Sequence, residues 1–231
     1  MNIFPLVFCR GGSKGVPGKN LRMLNGRTLL ERSVIHGLDL AGVCFVSTDC
    51  AEIAQLARDL GAQVIERPSE LATDSSPEML SWKHACRTLS IGANDMFVSL
   101  PTTAPLRRFN SIERACELYC DSKVDIVCAA YELERNPFLN MYELSASGLL
   151  EPLFDVMSVR RQESKRVLGI STVVYVSNGD YILHNETPFS GTVRPIIVSR
   201  LEAIDIDTEE DLILAEAIEQ SNCEIISRDE K

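Results

Sequence analysis

The sequence predicts an α/β fold, with a mostly parallel sheet covered by helices on both faces. Three observations carry that prediction. Short β-rich apolar runs alternate with longer helical patterns along most of the chain. Runs such as Val43-Cys-Phe-Val46 and Ile126-Val-Cys-Ala129 are apolar on both sides, as strands buried on two faces require. A chain of 231 residues with 45% hydrophobic content is long enough for one domain with its own core.

The elements follow in order. Ile3–Cys9 reads as the first strand: it has no basic leader or small-residue cleavage site and runs straight into a glycine-rich loop, unlike a signal peptide. A helix is expected over Thr28–Leu40, a strand over Val43–Ser47, and a helix over Ala51–Leu60 that stops at Gly61. Gln63–Glu66 is a short strand, Pro77–Leu89 a helix and Met96–Leu100 a strand. Ser111–Cys120 is a helix and Asp125–Ala130 a strand. Between Glu132 and Lys165 the rhythm loosens, with turn signals at Asn136-Pro137, Ser145-Ala-Ser-Gly148 and Glu151-Pro152. That stretch, roughly 132–165, reads as a β-arm inserted into a single domain spanning 1–231. Strands resume at Ile170–Val176 and Pro195–Val198. The last helix opens on a capping box, Thr208 with Asp211, and carries Glu209 and Glu210 where the helix dipole favours anions.

Charge and composition narrow the partners. The net charge is −10, which disfavours nucleic-acid backbones and anionic lipid surfaces. The longest charge-free stretch, Val167–Gly179, has 13 residues, short of the ~18 that a membrane-spanning helix needs. Eight cysteines include no C-x-x-C pair, and His36, His84 and His184 show no metal spacing. Reduced thiols in a cytoplasmic protein are the expectation, ahead of disulfides or a zinc site.

Chemistry concentrates directly after the first strand, in Cys9-Arg-Gly-Gly-Ser-Lys-Gly-Val-Pro-Gly-Lys-Asn20. From Arg10 to Arg32 the cations Arg10, Lys14, Lys19, Arg22, Arg27 and Arg32 face only Glu31, a local +5 in an acidic protein. Glycines let backbone N–H groups approach a ligand, and cations at fixed spacing match phosphate oxygens, so a bound polyphosphate is expected. The loop is not a Walker A motif: Ser13 takes its first glycine position and Asn20 its final hydroxyl. The dinucleotide fingerprint G-x-G-x-x-G is absent too. A second cationic cluster, Arg160-Arg-Gln-Glu-Ser-Lys-Arg166, is either an anion site or a solvated face. In Ala203-Ile-Asp-Ile-Asp-Thr208, alternation puts Asp205 and Asp207 on one face and Ile204 and Ile206 on the other. Two carboxylates on one face offer hard oxygen ligands for Mg²⁺; helix capping is the competing role, already served by Thr208 and Asp211. A phosphate cradle and a carboxylate pair at the carboxyl ends of parallel strands point to nucleotidyl transfer, while a phosphate-binding regulator without chemistry stays open.

The loop Arg10–Asn20 resembles the signature of the acylneuraminate cytidylyltransferases, the CMP-sialic acid synthetases and their relatives. Further segments match in order: Val46-Ser-Thr-Asp49, Arg67-Pro-Ser-Glu-Leu-Ala-Thr-Asp74, Pro101-Thr-Thr-Ala-Pro-Leu-Arg107, Arg161-Gln162 and Ile204-Asp-Ile-Asp-Thr-Glu-Glu-Asp-Leu212. The resemblance implies a Rossmann-like domain with a dimerisation arm and a homodimer. It implies an enzyme that couples CTP to a 2-keto-3-deoxy sugar acid and releases pyrophosphate. Arg10, Lys14, Lys19 and Asp207 would be catalytic. Arg10, Gly11, Gly12, Ser13, Lys14, Lys19, Asn20 and Arg67 would bind the nucleotide. Thr103, Arg161, Gln162, Ser171 and Tyr175 would bind the sugar acid, and Asp205 with Asp207 would hold Mg²⁺. Three departures lie toward the sugar. Pro101-Thr-Thr-Ala replaces the family's Gln-Pro-Thr-Ser, Ser171-Thr172 replaces Asn-Gly, and a common lysine is missing near Leu139–Asn140. They direct attention to acceptors other than N-acetylneuraminate, such as legionaminate or pseudaminate types. A nucleotidyltransferase with another acceptor or nucleotide, or a nucleotide binder that has lost sugar recognition, are the alternatives.

Overall fold

The computed structural model describes residues 1–13, 15–154, 160, 162 and 164–229, with side chains to Ser221. Strand β1 (Ile3–Phe8) leads through the glycine loop to a small hairpin, β2 (Met23–Leu24) and β3 (Arg27–Thr28). Helix α1 (Leu29–Ala41) starts at Thr28, whose Oγ1 accepts the Glu31 N–H at 3.1 Å. Then come β4 (Phe45–Thr48), α2 (Ala51–Asp59), β5 (Gln63–Glu66), α3 (Glu78–Leu89), β6 (Met96–Ser99), α4 (Phe109–Asp121) and β7 (Ile126–Glu132). The expected arm contains a hairpin, β8 (Tyr142–Leu144) against β9 (Leu150–Pro152). The chain continues through β10 (Leu168–Asn178), α5 (Gly179–His184), β11 (Val193–Ile197) and α6 (Glu209–Asp229). The capping box forms as expected: Thr208 Oγ1 accepts the Asp211 N–H at 3.2 Å and Asp211 Oδ2 accepts the Thr208 N–H at 2.8 Å.

Seven strands make one sheet in the order β11-β7-β10-β6-β1-β4-β5. Four pairings are parallel, but β10 runs antiparallel to both of its neighbours, β6 and β7. The sheet is therefore mostly parallel, with one reversed strand that the apolar pattern did not distinguish. Alternation along β1 divides the core. Val7 faces a layer with Leu30, Val34, Ile53, Ile112 and Ala115 from α1, α2 and α4. Leu6 faces a second layer with Met79, Trp82, Ala85 and Ile182 from α3 and α5. A third, smaller cluster joins Val16, Leu24 and Leu29 to Ile206, Leu212 and Ala215, fastening the glycine loop to the start of α6.

Strand β10 is bulged. Ser171 pairs with Ala129 and Tyr175 with Cys128, so three residues of β10 oppose a single step of β7. Arg107, 5% exposed, secures this irregularity: its guanidinium donates to the carbonyls of Val173 and Pro101 and to Ser33 Oγ. Burial pulls that guanidinium down to about 9, so it keeps its charge at neutral pH.

Candidate active site

The parallel strands β1, β4, β5 and β6 all end on one rim, and the motif segments leave the sheet there. After β1 the loop folds back on the segment before α6. Gly15 makes this possible: a Cβ on it would lie 2.0 Å from the carbonyl oxygen of Asp207. Gly18 supplies the left-handed turn, at φ 63°, that starts the short helical turn Lys19–Leu21. Asn20, 7% exposed, pins the loop from within, its amide donating to Arg10 O at 3.0 Å and accepting from Thr102 Oγ1 at 2.6 Å. Gly11 donates its N–H to Asp49 Oδ1 at 2.9 Å, tying the loop to the end of β4.

Lys19 extends to the carboxylate segment, donating to Ile206 O at 2.5 Å and to Asp207 Oδ1 at 3.2 Å. Ile206 is fully buried, while Asp205 is half-buried and Asp207 exposed, as the expected alternation requires. Asp205 Oδ1 accepts from Thr172 Oγ1 at 2.9 Å, and Thr172 Oγ1 accepts from Thr103 Oγ1 at 3.2 Å. Ile206 N–H donates to Thr103 O at 2.8 Å, so the Thr103 loop, β10 and the carboxylate segment are joined. The oxygen donors of Asp205 and Asp207 suit a hard divalent cation that takes its remaining ligands from phosphate and water. Among the described residues no cluster of three or more His, Cys, Asp or Glu side chains offers a self-sufficient metal site.

A cleft of about 270 Å³ lies between these parts, lined by Phe8, Arg10, Ser13, Gly15, Lys19, Asn20, Thr102, Thr103 and Asp207. A second lobe of about 240 Å³ shares Phe8 and Arg10 with it and continues past Arg67, Asp74, Ser76 and Glu78. Arg10 bridges to Asp74 at 2.6 Å. Arg67 is 8% exposed, donates to Ser47 O at 2.8 Å and lies 5.8 Å over the Phe8 ring. Burial pulls its guanidinium down from the usual value. Glu78 is open to the lobe yet crowded by protein on its other sides, and that crowding raises its carboxyl above the usual carboxylate range against the pull of Arg67.

Residues 5–138 match the sequence model of the cytidylyltransferase family. The chain belongs to the cytidylyltransferases. Flagellin modification protein B of Campylobacter coli, named as post-translational, is 27% identical over 91% of this chain and 92% of its own length. The CMP-N,N'-diacetyllegionaminic acid synthase of Legionella pneumophila is 27% identical over 98% and 100%. A solved CMP:2-keto-3-deoxy-manno-octonic acid synthetase complexed with CTP shares the fold, with a TM-score of 0.71 at 16% identity, covering 96% of this chain and 100% of that one.

In this cytidylyltransferase the structure gathers Arg10, Ser13, Lys19, Asn20, Thr103 and Asp207 around one cleft and puts Arg67 beside its second lobe. Gly12 stands in open space, where no Cβ would meet a neighbour within 4 Å. Lys14 and Arg161 lie outside the described residues, and Gln162 is exposed. Ser171 is only 3% exposed, with its hydroxyl accepting the Val173 N–H at 3.4 Å, so it sits in the sheet instead of lining the cleft. Tyr175 is 8% exposed and packs on Trp82 at 5.5 Å, and burial raises its phenol above the usual value. The +5 excess does not all serve a ligand. Arg22 and Arg32 pair with Glu209 and Glu219 of α6, and Arg27 lies 4.0 Å from Glu31. In the second cationic cluster Arg166 pairs with Glu132, and Lys165 lies over the Phe138 ring at 5.3 Å. Sequence reasoning missed Gly15, Glu78 and Thr172 as site residues. Gly15 lay inside the quoted loop and Thr172 inside the Ser171-Thr172 departure, whereas nothing local marked Glu78.

Proposed function

We propose that this cytidylyltransferase transfers CMP from CTP to the anomeric hydroxyl of a nonulosonate, a nine-carbon 2-keto-3-deoxy sugar acid of the sialic or legionaminic type. The observation that carries this reading is the cleft in which Arg10, Lys19 and Thr103 meet Asp207, with Asp205 two residues away on the Thr103–Thr172 hydroxyl row, on a chain that matches a CMP-legionaminic acid synthase end to end. The sugar oxygen would form a bond to the α-phosphorus as the bond to the α–β bridging oxygen breaks. Pyrophosphate leaves and the hydroxyl proton passes to water. Arg10 and Lys19 supply positive charge at the triphosphate, while Asn20, locked on both sides, holds the loop that carries them. Asp205 and Asp207 would hold Mg²⁺, which offsets triphosphate charge when bound.

We also propose a homodimer formed through the 132–165 arm, working in the cytoplasm. Support for the arm comes from its exposed apolar side chains, with Leu144 and Leu150 each 69% exposed. Support for a reducing compartment comes from the seven described cysteines, all free, with burial pushing the thiols of Cys9, Cys44, Cys86 and Cys116 up to about 12. Among the described residues no helix is long and apolar enough to cross a membrane.

The test is pyrophosphate release with CTP, Mg²⁺ and a panel of 2-keto-3-deoxy acids, run beside ATP, GTP and UTP. Release that needs both CTP and a nonulosonate is expected. Equal release with another nucleotide, or none with any acid in the panel, would overturn the assignment.

A further inference from the structure

We propose that Thr172 is a positioning residue for the Asp205 carboxylate, held at the rim by the β10 bulge. The inference rests on the reading of Asp205 as a metal ligand. An unbroken strand alternates its side chains strictly, and the three residues of β10 that oppose one step of β7 break that alternation beside the rim. Thr172 is the first of the three. Its hydroxyl accepts from Thr103 Oγ1 and donates to Asp205 Oδ1, so each hydroxyl in the row donates once, toward the charge. A chain of donors ending on a carboxylate is strengthened by that charge, and it fixes the carboxylate rotamer while leaving the other oxygen for a cation. Arg107 secures the arrangement from beneath by donating to the carbonyl of Val173, the next residue. The segment that carries Asp205 has no regular secondary structure of its own, so its side-chain orientation depends on these outside partners.

The experiment uses the full chain with Mn²⁺ as the probe. Binding of Mn²⁺ alone is followed by the loss of the free-ion electron paramagnetic resonance signal, and pyrophosphate release is followed against metal concentration. Thr172→Val keeps the shape and removes the hydroxyl; it should weaken Mn²⁺ binding and raise the half-activating metal concentration by about tenfold. The KM for CTP at saturating metal should stay within about twofold of wild type on the same grounds. Thr172→Ser, which restores the donor, should return both metal readouts close to wild type, and Thr172→Ala serves if the valine variant fails to fold. Asp205→Asn is run alongside. If it loses Mn²⁺ while Thr172→Val and Thr172→Ala bind as wild type does, the positioning role is overturned and the metal reading stands. If Asp205→Asn itself binds Mn²⁺ like wild type, the metal reading and this proposal fall together.

Discussion

Gly15 and His36 show how a single side chain, absent or present, constrains this protein. A methyl group at Gly15 would meet the Asp207 carbonyl at 2.0 Å, and the atom in its way is backbone, which cannot rotate aside. Gly15→Ala should therefore push the loop off the carboxylate segment and lower kcat/KM for CTP by about a hundredfold, the usual result of displacing catalytic groups by an ångström. Wild-type turnover in the alanine variant would show that the contact does not position the cleft. His36 is largely buried beside Arg107 and Arg32, with its ring 6.2 Å from Phe109, and its Nδ1 has no hydrogen-bond partner. Burial first, and the two arginines second, lower its pKa from 6.5 to about 4. The folded protein thus keeps His36 neutral where the unfolded chain protonates it, so stability is full above pH 6.5 and falls as pH drops toward 4. Between pH 7.5 and pH 5 this group should cost about 1–2 kcal/mol. Urea denaturation of His36→Gln should show a shallower pH slope over that window than wild type; equal slopes would rule His36 out as the cause.

At the scale of elements, the parallel strands and the helices between them were legible because each announces itself locally. An apolar run, a glycine stop or a capping box needs only its own few residues, and Thr208 with Asp211 closes as its spacing predicts. Strand β10 was found, but its direction was not, since a buried strand has the same composition whichever way it runs. Helix α5 was missed because six residues are too few to show a helical period. The same division holds in the site. Arg10, Lys19 and Asp207 come from two compact motifs and do meet. Thr172 is 69 residues from Thr103 and 33 from Asp205, and no spacing rule spans such distances. The +5 loop misled in one respect: three of its arginines have acidic partners outside the cleft, in α1 and α6, because a cation count cannot separate ligand binding from ion pairing.

For the whole molecule, the arm is the feature least explained by a single chain. Phe138 stacks on Phe154 at 4.5 Å, yet Tyr142, Leu144, Leu149 and Leu150 remain exposed. A two-stranded hairpin is marginal in water on its own, so these residues call for a covering surface, most simply the same arm across a two-fold axis. Sedimentation at micromolar concentration should give a dimer, and Leu144→Glu combined with Leu150→Glu should give a monomer. A wild-type monomer under those conditions would refute the arm as a dimer contact.

The reversed strand also sets an order of events during synthesis. β6 and β7 follow one another in the chain, but the finished sheet keeps them apart, with β10 between them. The strands β5, β4, β1 and β6 can align once Ser99 has left the ribosome, whereas the open side of β6 has nothing to pair with until Asn178 has followed, 79 residues later by position. A nascent chain therefore carries an unpaired edge through the making of α4, β7 and the whole arm, the period in which it is most able to stick to its neighbours. The middle of this sheet is closed late, and only the edge strand β11 is added after it.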